Sequence, residues 1–434
     1  MTVSMGMAQE KMELTAQQVA ERMAPGWNLG NTLEAGDSKN NFTNKGGLNA
    51  ETAWQNTKTT QAIIDFVKAQ GFRSVRIPCA WVMGHISDAA NYTIDPQWMA
   101  RVKEIVDYCI KADLYVVINQ HWDGGWLENN IDKTGDTKTK NLQILGACWQ
   151  QIAEVFKDYD ERLLFAGLNE PNSEDTPKAQ TITNLIDYEQ AFINTVRASG
   201  GNNDKRILIV QGPSTDITKT CSYMADKMPT DPTADRMMIE VHYYAPWQWW
   251  GMEKDESWGK VFYYWGKENH VSGSQHNANH SEEDFVEEQL ENMKKKFSDK
   301  GIPVYIGEFG ANWRKLPAGE NQEKHNASIR YHYQVVVQKA LEKGMVPVVW
   351  DTNYCNTPSM TIIDRKNLSI YNSFMMEGVI KAVDACRRTA QDIVDITGYI
   401  AGYNTISKDK ADANDDGEVN IADIVDTATQ ILSY

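Results

Sequence analysis

The sequence predicts an α/β fold, a closed (β/α)8 barrel, with a small helical module behind it. Three observations carry this. Short apolar runs alternate with stretches of helical periodicity from Trp27 to Cys386. The runs are apolar throughout rather than at every second position, as strands buried on both faces require, and all-parallel sheets of that kind are covered by helices. The turn after the first run, GWNLGN, lacks the GxGxxG spacing that the rival doubly wound sheet carries at its phosphate turn.

The first element is a helix over AQQVAERM, entered through Thr15 with Gln18 completing a capping box. PGWNLGN, residues 25 to 31, supplies the first strand around Trp27. The next seven are SVRIPC (74 to 79), LYVVINQH (114 to 121), LLFAGLNE (163 to 170), RILIVQGP (206 to 213), MMIEVHYY (237 to 244), PVYIGEFG (303 to 310) and PVVWDTN (347 to 353). Among the intervening helices, PQWMARVKEIVDYCIKA has Asp95 as cap and Pro96 at its first position. SEEDFVEEQLENMKKKFSDKG is acidic at its start, basic near its end and closed by Gly301, as the helix dipole prefers. One connection far exceeds the usual ~4–6 residues. It runs from Tyr244 to Ser281 and holds Trp247, Trp249, Trp250, Trp258 and Trp265, a ring density that argues against disorder. It reads as one wall of a cleft or as a satellite hydrophobic cluster. The barrel should close with the helix SFMMEGVIKAVDAC, which divides the chain into a domain over residues 1–385 and a module over 386–434.

Bulk numbers narrow the class of function. At 434 residues the chain holds one large domain and a small one. A core of this size needs no covalent staples. Cys79, Cys109, Cys148, Cys221, Cys355 and Cys386 show neither CxxC spacing nor a dense framework, so they read mostly as buried thiols. With 43 basic against 59 acidic residues the net charge is −16, which repels phosphate backbones and argues against nucleic acid as a partner. No apolar run approaches the ~20 residues of a membrane span. The N-terminal MTVSMGMAQEKMEL also lacks the apolar core of a signal peptide. The 14 Trp and 18 Tyr are the unusual counts: such rings pack large cores, and they also stack on the apolar faces of sugars.

Two strand ends carry the chemistry. LLFAGLNEP stops at Asn169 and Glu170, with Pro171 barring direct continuation into a helix, and IPVYIGEFG ends the same way at Glu308. A parallel barrel delivers every strand's C-terminal end to one mouth, so two glutamates remote in the chain meet there. A single Glu in such a place is commonly a solvated rim residue. A facing pair forms the acid and nucleophile of glycoside hydrolysis, and a retaining mechanism implies carboxyl groups ~5–5.5 Å apart. On this reading burial and neighbouring negative charge should raise the Glu170 pKa so that it rests protonated, while Glu308 rests ionised. His121, Glu170, His242 and Glu308 facing one cavity could also suggest a metal, but no HExxH pairing is present.

These strand-end residues resemble glycoside hydrolase family 5, the retaining cellulases and related β-glycanases on a TIM barrel, over nearly all of residues 10 to 385. The resemblance implies a role for each matching residue. Arg76 in VRIP resembles the arginine that steadies the nucleophile, and His121 the histidine after strand three. Asn169 and Glu170 in NEP are similar to the 2-hydroxyl-binding asparagine and the acid/base, and His242 and Tyr244 in HYY to the family's HxY pair. Glu308 in GEFG resembles the nucleophile, and Trp350 the platform under the sugar being cleaved. The chain departs from many relatives in QHWDGGWLENN, where Trp122 follows His121; Trp122 and Trp126 read equally as sugar platforms or packing residues. The Trp-rich connection then becomes a wall of the sugar cleft. No cofactor is implied for catalysis.

Behind the barrel, residues 412 to 423 read DANDDGEVNIAD. Asp412, Asn414, Asp416, Asn420 and Asp423 fall at loop positions 1, 3, 5, 9 and 12, with Gly417 at 6 and the Glu418 carbonyl at 7, the spacing of an EF-hand-type Ca2+ loop. Asp423 in place of the usual Glu, with Val419 and Asn420, resembles dockerin modules, which dock enzymes onto scaffolding proteins. ADIVDTATQIL (422 to 432) echoes QDIVDITGYIAG (391 to 402), so two similar helices are expected. ACRRTA, before the first copy, cannot ligate calcium, which leaves open both a cohesin-type partner and a calcium-stabilised pendant with none.

The expected protein is a monomeric, secreted or cell-surface endo-β-1,4-glucanase, its export signal absent from this chain, that cleaves cellulose and mixed β-glucans by double displacement. A xyloglucanase, mannanase or xylanase could use the same barrel, because loops set the subsites. A non-catalytic glycan-binding barrel is the alternative of another class, disfavoured by the presence of both glutamates. An intracellular scaffold protein is a further one.

Overall fold

The computed structural model describes residues 12–36, 46–55, 57–388, 390–403, 406–414 and 416–432. Most of the N-terminal segment read for an export signal lies outside the described residues, as do Thr389 of ACRRTA and Asp415 of the acidic loop. The chain forms two compact units, residues 1–379 and 380–434, which divide within the helix Ser373–Cys386.

In the larger unit eight parallel strands close into a barrel: β1 (Gly26–Asn28), β2 (Ser74–Ile77), β3 (Tyr115–Asn119), β4 (Leu163–Ala166), β5 (Leu208–Gln211), β6 (Met237–Tyr243), β7 (Val304–Phe309) and β8 (Val346–Val349). Each pairs with the next in sequence, and β1 returns to β8 with Gly26 opposite Val348, so the sheet has no open edge. Most strands lie within their apolar runs and stop before the run's polar end, whereas β7 runs through Glu308 to Phe309 and β8 starts one residue early at Val346. The β4 ladder closes at Ala166, short of Glu170. At the mouth, side-chain acceptors replace the carbonyls of the neighbouring strand: Leu168 N–H donates to Gln211 Oε1 at 2.7 Å and Cys79 N–H to Asn119 Oδ1 at 3.1 Å.

The helix Ala16–Met23 opens on the reciprocal Thr15–Gln18 capping box. Its Val19 and Met23 are fully buried against Val117, Leu164, Ile209, Met238 and Val348. Burying each such side chain contributes roughly 1.5–3 kcal/mol. Ala16 N–H donates to Asp235 O just ahead of β6, so this helix closes the N-terminal end of the barrel and leaves the opposite mouth open. Asp95 caps Pro96–Lys111, and Glu283–Lys296 is acidic in its first turn and basic in its last. Cys79, Cys109 and Cys148 are buried.

The long connection after β6 divides between its two readings. Trp249 and Trp265 are fully buried and pack edge-on against His332, with ring centroids 5.8 and 4.8 Å away. They are the satellite cluster. Trp247 and Trp258 stay 48% and 65% exposed.

In the smaller unit the helices Ala390–Ile400 and Ile421–Leu432 pack together, with the short helix Lys408–Ala411 between them in sequence. Among the described residues no helix is long and apolar enough to cross a membrane.

Candidate active site

Neighbouring strands β6 and β7 deliver the centre of the site. His242 pairs with Glu308 across the ladder, after a register shift between Val241 and His242. The two-residue period of β6 aligns Glu240, His242 and Tyr244 on one face. Gly307 makes room for this arrangement: a Cβ there would lie 1.9 Å from Glu240 Oε1, so a larger residue would displace the buried carboxylate.

Arg76, fully buried on β2, ties the cluster together. Its Nη1 donates to Glu308 Oε1 at 2.8 Å and to Asn28 Oδ1 at 3.1 Å, its Nη2 to Asn169 Oδ1 at 2.8 Å, and its Nε lies 3.1 Å from Glu240 Oε1. Burial opposes the guanidinium charge, but Glu240 and Glu308 outweigh it and hold the group protonated. The other oxygen of Glu308 accepts from the Tyr244 hydroxyl at 3.0 Å. Burial and the Glu308 charge push the Tyr244 phenol well above its ordinary range, so it stays a donor. Glu308 is therefore cradled at both oxygens.

Glu170 comes from the loop after β4, and one of its oxygens lies within 4.8 Å of Glu308. Its side chain is 45% exposed, against 7% for Glu308. His242 Nδ1 meets Glu170 Oε1 at 2.8 Å, and its Nε2 meets Glu240 Oε1 at 3.2 Å. Burial pulls the imidazole down, but Glu308, Glu170 and Glu240 together raise it to about 10. The expectation that Glu170 itself is raised is corrected here: burial does push it up, yet the hydrogen bond and charge of His242, with Arg76, leave it below the ordinary carboxylate value. Burial raises Glu308, with His242 and Arg76 opposing. Glu308, Glu170 and Glu240 thus favour the charged form of His242, whose Nδ1 lies 2.8 Å from Glu170 Oε1.

The remaining predicted residues surround this centre. Burial, Arg76 and His242 hold His121 well below its usual value, hence neutral; its Nδ1 accepts from Asn119 Nδ2 at 3.1 Å, which leaves the ring proton on Nε2. Trp350 lies parallel to His121 at 6° with ring centroids 6.0 Å apart. Trp122 and Trp126 are half-buried, and the indole of Trp126 donates to Asp123 Oδ2 at 3.2 Å. Trp250 packs on Tyr244 at 4.7 Å and Trp247 on Trp250 at 4.7 Å, so rings of the long connection reach the catalytic cluster. Asp412, Asn414, Asp416, Glu418, Asn420 and Asp423 belong to the smaller unit.

Sequence reasoning missed four members. Glu240 shares the face of His242 and Tyr244, and a carboxylate inside an apolar strand is itself a signal, because buried charges are paired. Asn28 ends β1 in the GWN run, as Asn169 follows β4. Asp123 gathers the backbone N–H groups of Trp81, Val82 and Met83, and Glu128 accepts from the backbone of Glu170; neither has a sequence signal. The metal alternative fits the donor set poorly. Glu170, His242 and Glu308 cluster, but Arg76 and Tyr244 already hold both Glu308 oxygens and His242 holds Glu170.

Closely spaced carboxyl groups at the mouth of a (β/α)8 barrel, one cradled by donors and the other open to the cleft, suit double displacement at a sugar carbon, and they place the protein among the retaining glycoside hydrolases. Comparison with known sequences narrows this. The chain belongs to glycosyl hydrolase family 5, whose cellulase family matches residues 36–356. It is 35% identical over 380 residues to a xyloglucan-specific endo-beta-1,4-glucanase of Bacteroides ovatus, covering 86% of this chain and 71% of that one. It is 32% identical over 394 residues to endoglucanase A of Paenibacillus barcinonensis, covering 87% and 91%. A solved structure of a xyloglucan-specific beta-1,4-glucanase from a ruminal metagenomic library, in complex with XXLG, is similar with a TM-score of 0.78 and 46% identity over 86% of this chain and 97% of that one. Catalysis in this family needs no cofactor.

Proposed function

We propose that Glu308 is the nucleophile and Glu170 the acid/base of this enzyme. The protein is an endo-acting β-1,4-glucanase. The observation that carries the assignment is the approach of one oxygen of each carboxyl to within 4.8 Å of the other, closer than the ~6.5–9.5 Å gap that an inverting enzyme leaves for water. In the first step Glu308 bonds to the anomeric carbon while the His242–Glu170 pair gives its proton to the departing glycosidic oxygen. In the second, water attacks the glycosyl ester, its proton returns to Glu170, and Glu308 leaves as carboxylate. Arg76 and Tyr244 offset the charge on Glu308. The Asn169 amide binds the 2-hydroxyl, His121 donates to the sugar, and Trp350 lies beneath it. Trp122, Trp126, Trp247 and Trp250 extend the cleft.

Cellulose and mixed β-glucans are the substrates of this reading. Xyloglucan is the second, favoured by the specificity named for the 46% identical solved structure and the 35% identical relative. The test is product analysis on carboxymethyl-cellulose, xyloglucan, mannan and xylan with anomers followed by NMR. Glucan-backbone polymers should yield β-anomer first. Initial α-anomer would overturn the nucleophile assignment, and turnover confined to mannan or xylan would overturn the substrate.

The same reading makes residues 1–385 the catalytic domain and 386–434 a pendant dockerin-like module. A polymer too large to enter a cell places the enzyme outside it, secreted or at the cell surface. The calcium reading rests on the spacing of the acidic loop, residues 412 to 423. Asp412 accepts from the N–H groups of Asp416 and Gly417 at 3.1 and 2.8 Å, and Asp423 from those of Ala413 and Asn420 at 2.6 and 2.8 Å, with Gly417 at φ 84°. On this reading the spacing would offer Asp412, Asn414, Asp416, the Glu418 carbonyl, Asn420 and Asp423 to one cation, and the two similar helices would present a cohesin-type surface. Ca2+ at a hundredfold excess over Kd should stabilise the smaller unit by about 2.7 kcal/mol. Calorimetry of the full chain should show one transition moving up with Ca2+ and the barrel transition staying in place. Superimposable traces in Ca2+ and in chelator would remove calcium from the account.

A further inference from the structure

Glu240 has no step of its own in the reaction above, yet it is fully buried in the middle of β6 and faces three donors. A carboxyl in such a place is costly unless its oxygens are satisfied. Gln211, its partner across the β5–β6 ladder, donates through Nε2 to Glu240 Oε2. The orientation of that amide is settled independently, because Gln211 Oε1 accepts from the Leu168 N–H at 2.7 Å. Glu240 Oε1 lies 3.1 Å from Arg76 Nε and 3.2 Å from His242 Nε2. Burial pushes the carboxyl up, but Arg76, His242 and Gln211 leave it below the ordinary carboxylate value, so it stays ionised.

His242 therefore stands between two carboxyl groups, Glu240 at Nε2 and Glu170 at Nδ1, the latter 2.8 Å away. The two are not equivalent. Glu240 is enclosed and held at both oxygens, whereas the Glu170 side chain is 45% exposed and takes part in proton transfer. An ionised carboxylate can only accept, so the nitrogen against Glu240 carries a hydrogen in either charge state of the ring. A neutral His242 thus keeps its single proton on Nε2 and leaves Nδ1 bare. The other groups about the ring are Glu308 on β7, 3.8 Å from Nδ1 and beyond hydrogen-bond reach, Tyr244, edge-on at 6.5 Å, the neutral His121 after β3, and Arg76 on β2.

We propose that Glu240 is a positioning residue for the acid/base: it pins the Nε2 proton of His242, so that Nδ1 and Glu170 hold and exchange the one proton that the two displacement steps need. This rests on the role proposed above for Glu170. After the first step the leaving oxygen has taken that proton, and a bare Nδ1 faces the Glu170 carboxylate, two acceptors 2.8 Å apart. Taking a proton from the attacking water relieves them, which makes the pair a better base for the second step. The other tautomer, with its hydrogen on Nδ1, would satisfy Glu170 and weaken it as a base.

Glu240→Gln tests this with little change of shape. Either orientation of the new amide sets donor against donor, at Gln211 in one and at Arg76 and His242 in the other, and the negative charge is gone in both. On soluble β-glucan kcat/KM should fall about 10- to 100-fold, the scale of one buried polar group left unsatisfied. The alkaline limb of the pH profile should move toward neutrality by about one unit or more, since the lost charge lay 3.2 Å from the ring. Release of 2,4-dinitrophenolate in the burst from its β-cellobioside needs no proton, so its loss should be smaller by about tenfold or more. In a Glu170→Gln background the same substitution should cost less than about twofold on β-glucan, because a residue acting through another is silent once that other is gone. In the parent labelled with 15N-histidine, the His242 signal, assigned by its loss in His242→Gln, should show Nε2 protonated on both sides of its titration while Nδ1 loses its hydrogen. A neutral ring protonated on Nδ1 overturns the proposal, as does an alkaline limb unmoved in E240Q, an equal loss in the burst and on β-glucan, or full additivity with E170Q. If E240Q melts too low to assay, the spectrum of the parent decides by itself. A parent enzyme with no glycosidase activity would instead defeat the proposed function, and the spectrum would still read the tautomer.

Discussion

Glu308→Gln should leave a folded protein with turnover on soluble β-glucan reduced by roughly 10⁴-fold or more, the loss expected when a covalent nucleophile is removed. The substitution keeps the side chain's size and one oxygen, so packing at a position only 7% exposed is preserved. What disappears is the charge. The amide cannot form the glycosyl ester, and its nitrogen must face either Arg76 or Tyr244, both of which are donors. Arg76 is not left alone, because Glu240 stays 3.1 Å from its Nε. The loss should therefore appear in rate far more than in fold. Reducing-sugar release and near-UV circular dichroism check the two halves. Glu308→Ala offered azide should form the α-glycosyl azide, since azide then attacks the vacated face. Residual activity above about a hundredth of the parent would remove Glu308 from the nucleophile's role.

The barrel was legible because strands buried on both faces must be apolar along their whole length, and helices on the outside must repeat at 3.6 residues. The strand ends were less so. Leu168 and Cys79 donate to Gln211 and Asn119 side chains rather than to a neighbouring strand's backbone, and propensity does not register that exchange. The meeting of Glu170 with Glu308 followed from topology alone, since every parallel strand opens on one mouth. Glu240 was within reach of the same reasoning: it lies two residues before His242, and the period that grouped His242 with Tyr244 includes it. Asp123 and Glu128 were not. Their partners are backbone N–H groups of other loops, brought near by a turn in which Asp123 and Gly124 have φ of 47° and 74°. The direction of the Glu170 shift was misjudged for a related reason. A carboxyl near other carboxyls is expected to rise, but the sequence does not disclose that an imidazole stands 2.8 Å away and itself rises to about 10.

That charged neighbour makes Glu170→Gln the sharper test of mechanism. On polysaccharide the leaving oxygen is an alkoxide that needs a proton, and kcat/KM should fall by about 10²–10⁴, the range of a general acid. On 2,4-dinitrophenyl β-cellobioside the leaving group departs unaided, so glycosylation should be nearly as fast as in the parent and the intermediate should accumulate as a burst. Deglycosylation is slow without the base, and azide should rescue it to give the β-glycosyl azide. The pH profile follows from the same pair. His242 is raised to about 10, so the His242–Glu170 proton is present through neutrality and is lost as pH rises toward that value; parental kcat/KM on polysaccharide should fall on the alkaline side. Glu308 must be ionised to attack, and because burial raises it, activity should also fall as pH drops through its ionisation. In Glu170→Gln with the dinitrophenyl substrate no proton is needed for bond cleavage, so the alkaline limb should vanish and the acid limb remain. Equal losses on both substrates, or an alkaline limb that survives, would mean that the proton enters the reaction by some route other than Glu170.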